Sequence, residues 1–314
     1  MTDEPESLHG ATRPATLAPA LVVGLITFSF SPILVRLASD APGLAVAVWR
    51  TAFAVLVLAP FAMRRAWTDV VSLTGRERLL IVVAGVLLAG HFVTWIESLY
   101  LTSVASASVL VAMSPIVLAA LGFMLLGEKL SLPVVVSIIG GVIGATIIGF
   151  GDAASQHSAA PNPLLGNALA TGATLLFSFY FIIGRVVRQR VDWLAYVFPV
   201  YVVVAVSTLA FALLRGVPLL GHPPLVYVFC ALMALGPQIA GHGSFNFAVK
   251  YVPATLLGLL SLTEPMGASV IALILFDEWP GAVSLGGMAI VLVSVASALL
   301  FARRRKKLVS QPPS

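Results

Sequence analysis

HGSFNFAVKYVPATLLGLLSLTEPMGASVIALILF, beginning at His242 and ending at Phe276, holds two apolar runs parted by Lys250-Tyr251-Val252-Pro253. The first run carries a polar stripe, and the second has Glu264-Pro265 at its middle. At about 1.5 Å per residue the second run spans a hydrocarbon core of roughly 30 Å. Glu264 then falls near the membrane centre, where a carboxylate is costly and marks either function or a buried, hydrogen-bonded kink.

Working outward, composition supports the membrane reading. Of 314 residues, 59% are hydrophobic and 10% charged, against roughly 45–50% and 25% in soluble domains. The net charge of +5 does not point to nucleic acid, because Lys and Arg cluster in short breaks between apolar runs, as membrane topology requires. The single cysteine, Cys230, excludes an intramolecular disulfide and reads as a small buried hydrophobe. The first sixteen residues are polar and acidic and lack the basic region that precedes a secretory leader. The apolar run from Leu17 is therefore expected to be a retained first span.

Ten spans are predicted, at 17–38, 43–62, 79–101, 105–126, 132–150, 164–186, 194–214, 225–249, 254–276 and 282–302. The expected fold class is an all-α integral membrane protein. Residues 1–16 read as a cytoplasmic tail, 17–150 as one five-helix unit, 151–163 as a linker, 164–302 as a second unit and 303–314 as a basic cytoplasmic tail. Arg64, Arg65, Arg76, Arg78, Lys129, Arg188, Arg190, Lys250 and the run from Arg303 to Lys307 share one side, whereas Asp40, Asp152, Asp277 and Glu278 share the other, with Arg215 as an exception. The positive-inside rule then puts both termini in the cytoplasm.

The halves repeat at an offset near 150 residues. Phe28-Ser29-Phe30 lies over Phe177-Ser178-Phe179, and Arg36 over Arg185. With a one-residue gap His91 meets His242, Ser114-Pro115 meets Glu264-Pro265, and Gly127-Glu128 meets Asp277-Glu278. Five spans per half is an odd number, so the ten transmembrane helices form two inverted five-helix repeats. That is a transporter architecture with its substrate site near the midplane.

Trp49-Arg50, Thr102-Ser103-Val104-Ala105-Ser106, Gly127-Glu128-Lys129-Leu130, Glu264-Pro265 and Asp277-Glu278, in this order and spacing, resemble the EamA-type members of the drug/metabolite transporter superfamily. The resemblance covers nearly the whole chain. It implies a secondary transporter of small organic metabolites, often an exporter, with a central cavity walled by spans of both halves. Asp277 stands where the family's Gly-Glu would have glycine, and Pro199 where the first half has Arg50.

Eight residues, Glu264, His242, His91, Arg50, Asn246, Gln238, Trp95 and Glu97, are candidates for substrate binding or proton coupling. Glu264 can cycle a proton or meet a substrate ammonium. Gln238, His242 and Asn246 recur every four residues on one helical face, and His91, Thr94, Trp95 and Ser98 do the same on the third span. Such stripes should face the bundle interior, as functional groups or as interhelical hydrogen bonds. Imidazole, titrating near about 6.5 when unperturbed, suits proton relay. Arg50, roughly 12 Å inside its span, needs a carboxylate, carbonyls or an anionic cargo group; Glu97 and Glu264 are its possible protein partners. Arg36 and Arg185 read as structural cations at helix C-termini, and Trp95, Phe179, Tyr180, Phe245 and Phe247 as stacking or packing surfaces.

Gly140 and Gly144, with Gly286-Gly287 and Ser294, suit intramolecular packing or a homodimer contact. No phosphate-binding loop, zincin motif, nucleophile elbow or cysteine cluster occurs, so neither a cofactor nor a metal is expected. The reading is an inner-membrane secondary transporter, most simply an exporter of amino acids or related metabolites, working by alternating access. The alternatives are import or antiport of sugar-like or nucleotide cargo, and an intramembrane enzyme.

Overall fold

The structure is a computed structural model and describes residues 14–309 apart from 103, 129, 156–160 and 277–280. Lys129, Asp277, Glu278 and most of the N-terminal tail thus lie outside the described residues. All described secondary structure is helical. Ten helices organise it: α1 (Leu17–Leu37), α2 (Gly43–Arg65), α3 (Gly75–Leu101), α4 (Ala107–Leu126), α5 (Leu132–Ser155), α6 (Pro163–Val187), α7 (Trp193–Leu214), α8 (Pro224–Ala248), α9 (Ala254–Leu275) and α10 (Ala282–Phe301). Among the described residues nine of these are long and apolar enough to cross a membrane, while the apolar part of α5, Leu132–Ile148, is shorter. Three features were not expected: a short helix, Trp67–Ser72, lies between α2 and α3, α5 continues to Ser155 into the predicted linker, and the helix of α10 runs on to Val309 through most of the predicted basic tail.

Local chemistry sets the helix ends. Thr74 and Glu77 form a reciprocal capping box at the start of α3, the Asn162 side chain accepts the Leu165 N–H at α6, and Gly127, at φ 64°, closes α4 in the left-handed region. Proline also breaks helices from within, because it lacks an N–H and its ring clashes with the carbonyl four residues back. α1 is interrupted at Phe30 before Ser31-Pro32, α4 after Val111 before Ser114-Pro115, and α9 after Ser261 before Glu264-Pro265. In α8, Pro237 sits inside a wide π-helical segment, Ala234–His242.

Most helix pairs join the two halves. α1 packs on α8 and α9, α2 on α7 and α8, α3 on α6 and α7, α4 on α6 and α9, and α5 on α10. Exchanging α1 with α6, α2 with α7, α3 with α8, α4 with α9 and α5 with α10 leaves this set of pairs unchanged. The interruptions converge as well. A Cβ on Gly267 of α9 would fall 2.0 Å from Ser29 Oγ beside the break in α1, and one on Gly258 would stand 3.4 Å from Pro115 Cα at the break in α4. Outward faces carry exposed apolar side chains such as Leu56, Phe123, Leu214 and Ile274, as helices bathed in lipid should.

The small-residue stripes are used within the chain. A Cβ on Gly144 would lie 2.8 Å from Gly287 O, and one on Gly287 2.7 Å from Gly144 O, so backbone meets backbone where α5 crosses α10. Gly140 stands equally close to Ser294. Gly144→Leu should lower stability by about 1–3 kcal/mol through overpacking, read as a lowered unfolding midpoint in detergent; the same change at Gly172, which has open space around it, should do far less.

Candidate functional site

A buried polar lane runs along the inner face of α8. At one end Arg50 of α2, 1% exposed, donates from Nε to Gln238 Oε1 at 3.2 Å and lays its guanidinium over the Phe92 ring at 4.1 Å. The Gln238 carbonyl uses both lone pairs, accepting the Gly243 N–H and the Tyr201 hydroxyl, the latter at 2.6 Å. At the other end Asn246 Nδ2 donates to His242 O at 2.8 Å and to the Tyr180 hydroxyl. Between them His242 is edge-on to Phe28 and Phe92 and lies 6.0 Å, centre to centre, from His91. His91 Nδ1 is 2.9 Å from Ala173 O, so Nδ1 must carry a proton and donate.

Gln238, His242 and Asn246 share one face for a geometric reason. Four residues of α-helix overshoot a full turn by roughly 40°, whereas the wider π turn undershoots. The π segment ends at His242 and α-helix follows, so the two drifts offset each other between Gln238 and Asn246.

Four buried polar atoms in this region have no hydrogen-bond partner: Arg50 Nη2, Gln238 Nε2, Tyr196 Oη and Asn246 Oδ1. They form two groups. The first two belong to the side chains joined by the Nε–Oε1 bond; the second two both border Gly184, whose Cβ would stand 3.0 Å from the Tyr196 hydroxyl and 3.3 Å from Asn246 Oδ1. Unpaired buried groups each cost about 1–3 kcal/mol and tend to mark places where a ligand or water completes the set. Asn246→Leu, which strands the Tyr180 hydroxyl, should cost a further 1–3 kcal/mol or so; the unfolding midpoint measures it.

The remaining candidates separate from this lane. Glu264 begins the second segment of α9, half-buried, and among the described residues its carboxylate makes neither a hydrogen bond nor an ion pair. Glu97 sits at the start of α2, against Gly43 and the Leu44 N–H, where a carboxylate caps the helix and meets its positive dipole end. Neither acid is within ion-pair distance of Arg50; among the described residues the ion pair is Arg185 with Glu128 at 3.6 Å. Arg185 also donates to Val249 O and Val252 O, at the end of α8, as expected of a structural cation. Trp95 belongs to an apolar cluster with Val46, Ala47, Cys230 and Met233. A surface cavity of about 340 Å³, lined by Val70, Arg78, Ile81 and Pro199, lies apart from the polar lane.

A model of the EamA-like transporter family matches residues 17–150 and, a second time, 164–300. The chain belongs to the EamA-like transporter family. This EamA-like protein is thereby a member of the drug/metabolite transporter superfamily and a multi-pass membrane protein with a transporter fold, built on two copies of one module. One solved crystal structure superposes with a TM-score of 0.76 over 93% of this chain and 99% of its own, at 18% identity; a likeness that distant shows the fold. In all, 29 solved chains match. No curated protein matches the sequence.

Tyr180, Tyr196 and Tyr201 of the EamA-like chain supply hydroxyls to the polar lane, yet two of them escape a reading of polar stripes. Tyr196 and Tyr201 lie on α7, a helix that looks uniformly apolar when tyrosine is counted as hydrophobic. Tyr201 lies well inside its span, where a hydroxyl needs a partner, and that was the available signal; Tyr196, within the first turn of α7, gave none.

Proposed function

We propose that this EamA-like protein is a secondary transporter that exports small organic metabolites, most simply amino acids or related compounds, by alternating access around the α8 lane. The two modules act as inverted repeats that rock against each other. The observation that carries this reading is the lane itself: partnerless polar atoms buried between helices of both halves, beside helices interrupted at Phe30, Val111, Ser261 and the π turn.

Two further features support it. Corresponding residues of a two-fold repeat can touch only near the symmetry axis, and His91 and His242, which correspond in sequence, are 6.0 Å apart. The helix pairs also map onto themselves when the halves are exchanged. The proline kinks of α1, α4 and α9 lie at the interface of the repeats, the region where secondary transporters hold cargo. Glu264, at the break in α9 with no partner among the described residues, is the group assigned to proton coupling or to the cargo amine.

The test begins with a thermal-shift panel of metabolites, since a ligand bound to the folded state raises apparent stability by mass action. Compounds that bind are then followed in reconstituted vesicles. Exchange of labelled compound that needs a sealed bilayer supports the transporter; chemical conversion of the compound in detergent, without vesicles, replaces it with an enzyme.

A further inference from the structure

The unpaired donors at Arg50 have a specific chemical complement. The guanidinium is 1% exposed, and no carboxylate among the described residues is within ion-pair distance of it. Burying an ion without a counter-charge costs several kcal/mol, and Gln238 supplies only a neutral oxygen. Phe92 covers the guanidinium face at 4.1 Å, which leaves the in-plane N–H groups as its means of binding.

Gln238 reinforces the same polarity. Its Oε1 is taken by Arg50 Nε, which leaves Nε2, a pure donor, without a partner, as Nη2 is on the Arg50 side chain bonded to it. The Tyr201 hydroxyl is committed to Gln238 O at 2.6 Å and pins the backbone of this turn. The corner therefore presents two unpaired donors, on side chains joined by one hydrogen bond, and one uncompensated positive charge. An ammonium or an apolar group is repelled or left unsolvated there; a carboxylate accepts from both donors and supplies the missing charge.

Building on the transporter reading above, we propose that Arg50 Nη2 and Gln238 Nε2 form a carboxylate subsite that anchors cargo by its acid group. The π turn at Pro237 serves this subsite by carrying Gln238 to Arg50. Cargo of this transporter is thereby restricted to small carboxylic acids, and Glu264 is left for the cargo's cationic end or for a proton.

Gln238→Glu places a carboxylate where the cargo's is meant to bind, and it keeps the oxygen that Arg50 Nε already uses. Gln238→Met removes the donor without adding charge. Thermal unfolding of the full chain in detergent, at constant chloride, is measured for wild type and both variants, alone and with leucine, phenylalanine and threonine or their carboxamides. The expected result is that free Gln238→Glu unfolds several degrees above Gln238→Met, that the amino acids shift the wild type, and that the carboxamides bind at least tenfold more weakly. Neither variant should respond to the acids as wild type does. If Gln238→Glu is no more stable than Gln238→Met, or acids and carboxamides shift the wild type equally, or none of the acids shifts it, the carboxylate subsite is overturned. Vesicle exchange of the same compounds separates the two readings: carboxamides carried as well as acids leave the transporter standing without this subsite, whereas no exchange of any compound removes an amino-acid transporter altogether.

Discussion

Glu264→Gln brings cargo exchange in reconstituted vesicles down to the protein-free background while the purified variant remains folded and monodisperse in detergent. The substitution keeps size and hydrogen-bonding capacity and removes the charge and the titratable proton. If Glu264 only held the kink at Pro265, glutamine would serve equally well and exchange would persist. Its surroundings argue against that structural role: its carboxylate bonds to nothing among the described residues, at a break where α9 meets the broken part of α1. An intramembrane carboxylate with no structural partner is expensive to keep. Full exchange by the variant would remove Glu264 from the mechanism.

Arg50→Met should likewise separate stability from function. The variant should be as stable as wild type or more so, by up to about 4 kcal/mol, because replacing a buried charge that has no counter-charge by an apolar chain relieves desolvation. The flexible thioether fills the space over Phe92. Cargo binding, in contrast, is lost. Chemical unfolding in detergent reads the first effect and thermal shift with cargo the second. A loss of stability of about 3 kcal/mol or more, with binding retained, would make Arg50 a structural residue held by Gln238 and Phe92.

Periodicity and depth in the chain announced much of this arrangement. Spacing of four residues placed Gln238, His242 and Asn246 on one face, and they do share the lane's face. The repeat paired His91 with His242, and the rings meet. Ser114-Pro115 and Glu264-Pro265 were aligned as equivalent, and both begin the second segment of a broken helix. Other features depend on contacts across the fold. Glu97 looked available to Arg50 because both lie in neighbouring spans; its place at the start of α2 depends on how α3 packs there. The π turn is set by Pro237 in context, since a proline more often kinks a helix than widens it. Gln238 reaches Arg50 across 188 residues of chain and Tyr201 across 37, pairings that no local pattern encodes. The small-residue stripes admitted two uses, and the Gly144–Gly287 backbone contact identifies the one made inside the chain.

If cargo passes through the lane between the two halves, His242 must meet water from each face of the membrane in turn. With Cys230 replaced by serine, His242→Cys places the chain's single thiol at the centre of the lane, at a position 6% exposed. Reconstituted in one orientation, the thiol should react with a membrane-impermeant maleimide from each face of the bilayer in turn, and saturating cargo should shift which face labels it. A thiol that stays unreactive from both faces, with a surface cysteine in the same vesicles fully labelled, would contradict alternating access through this lane.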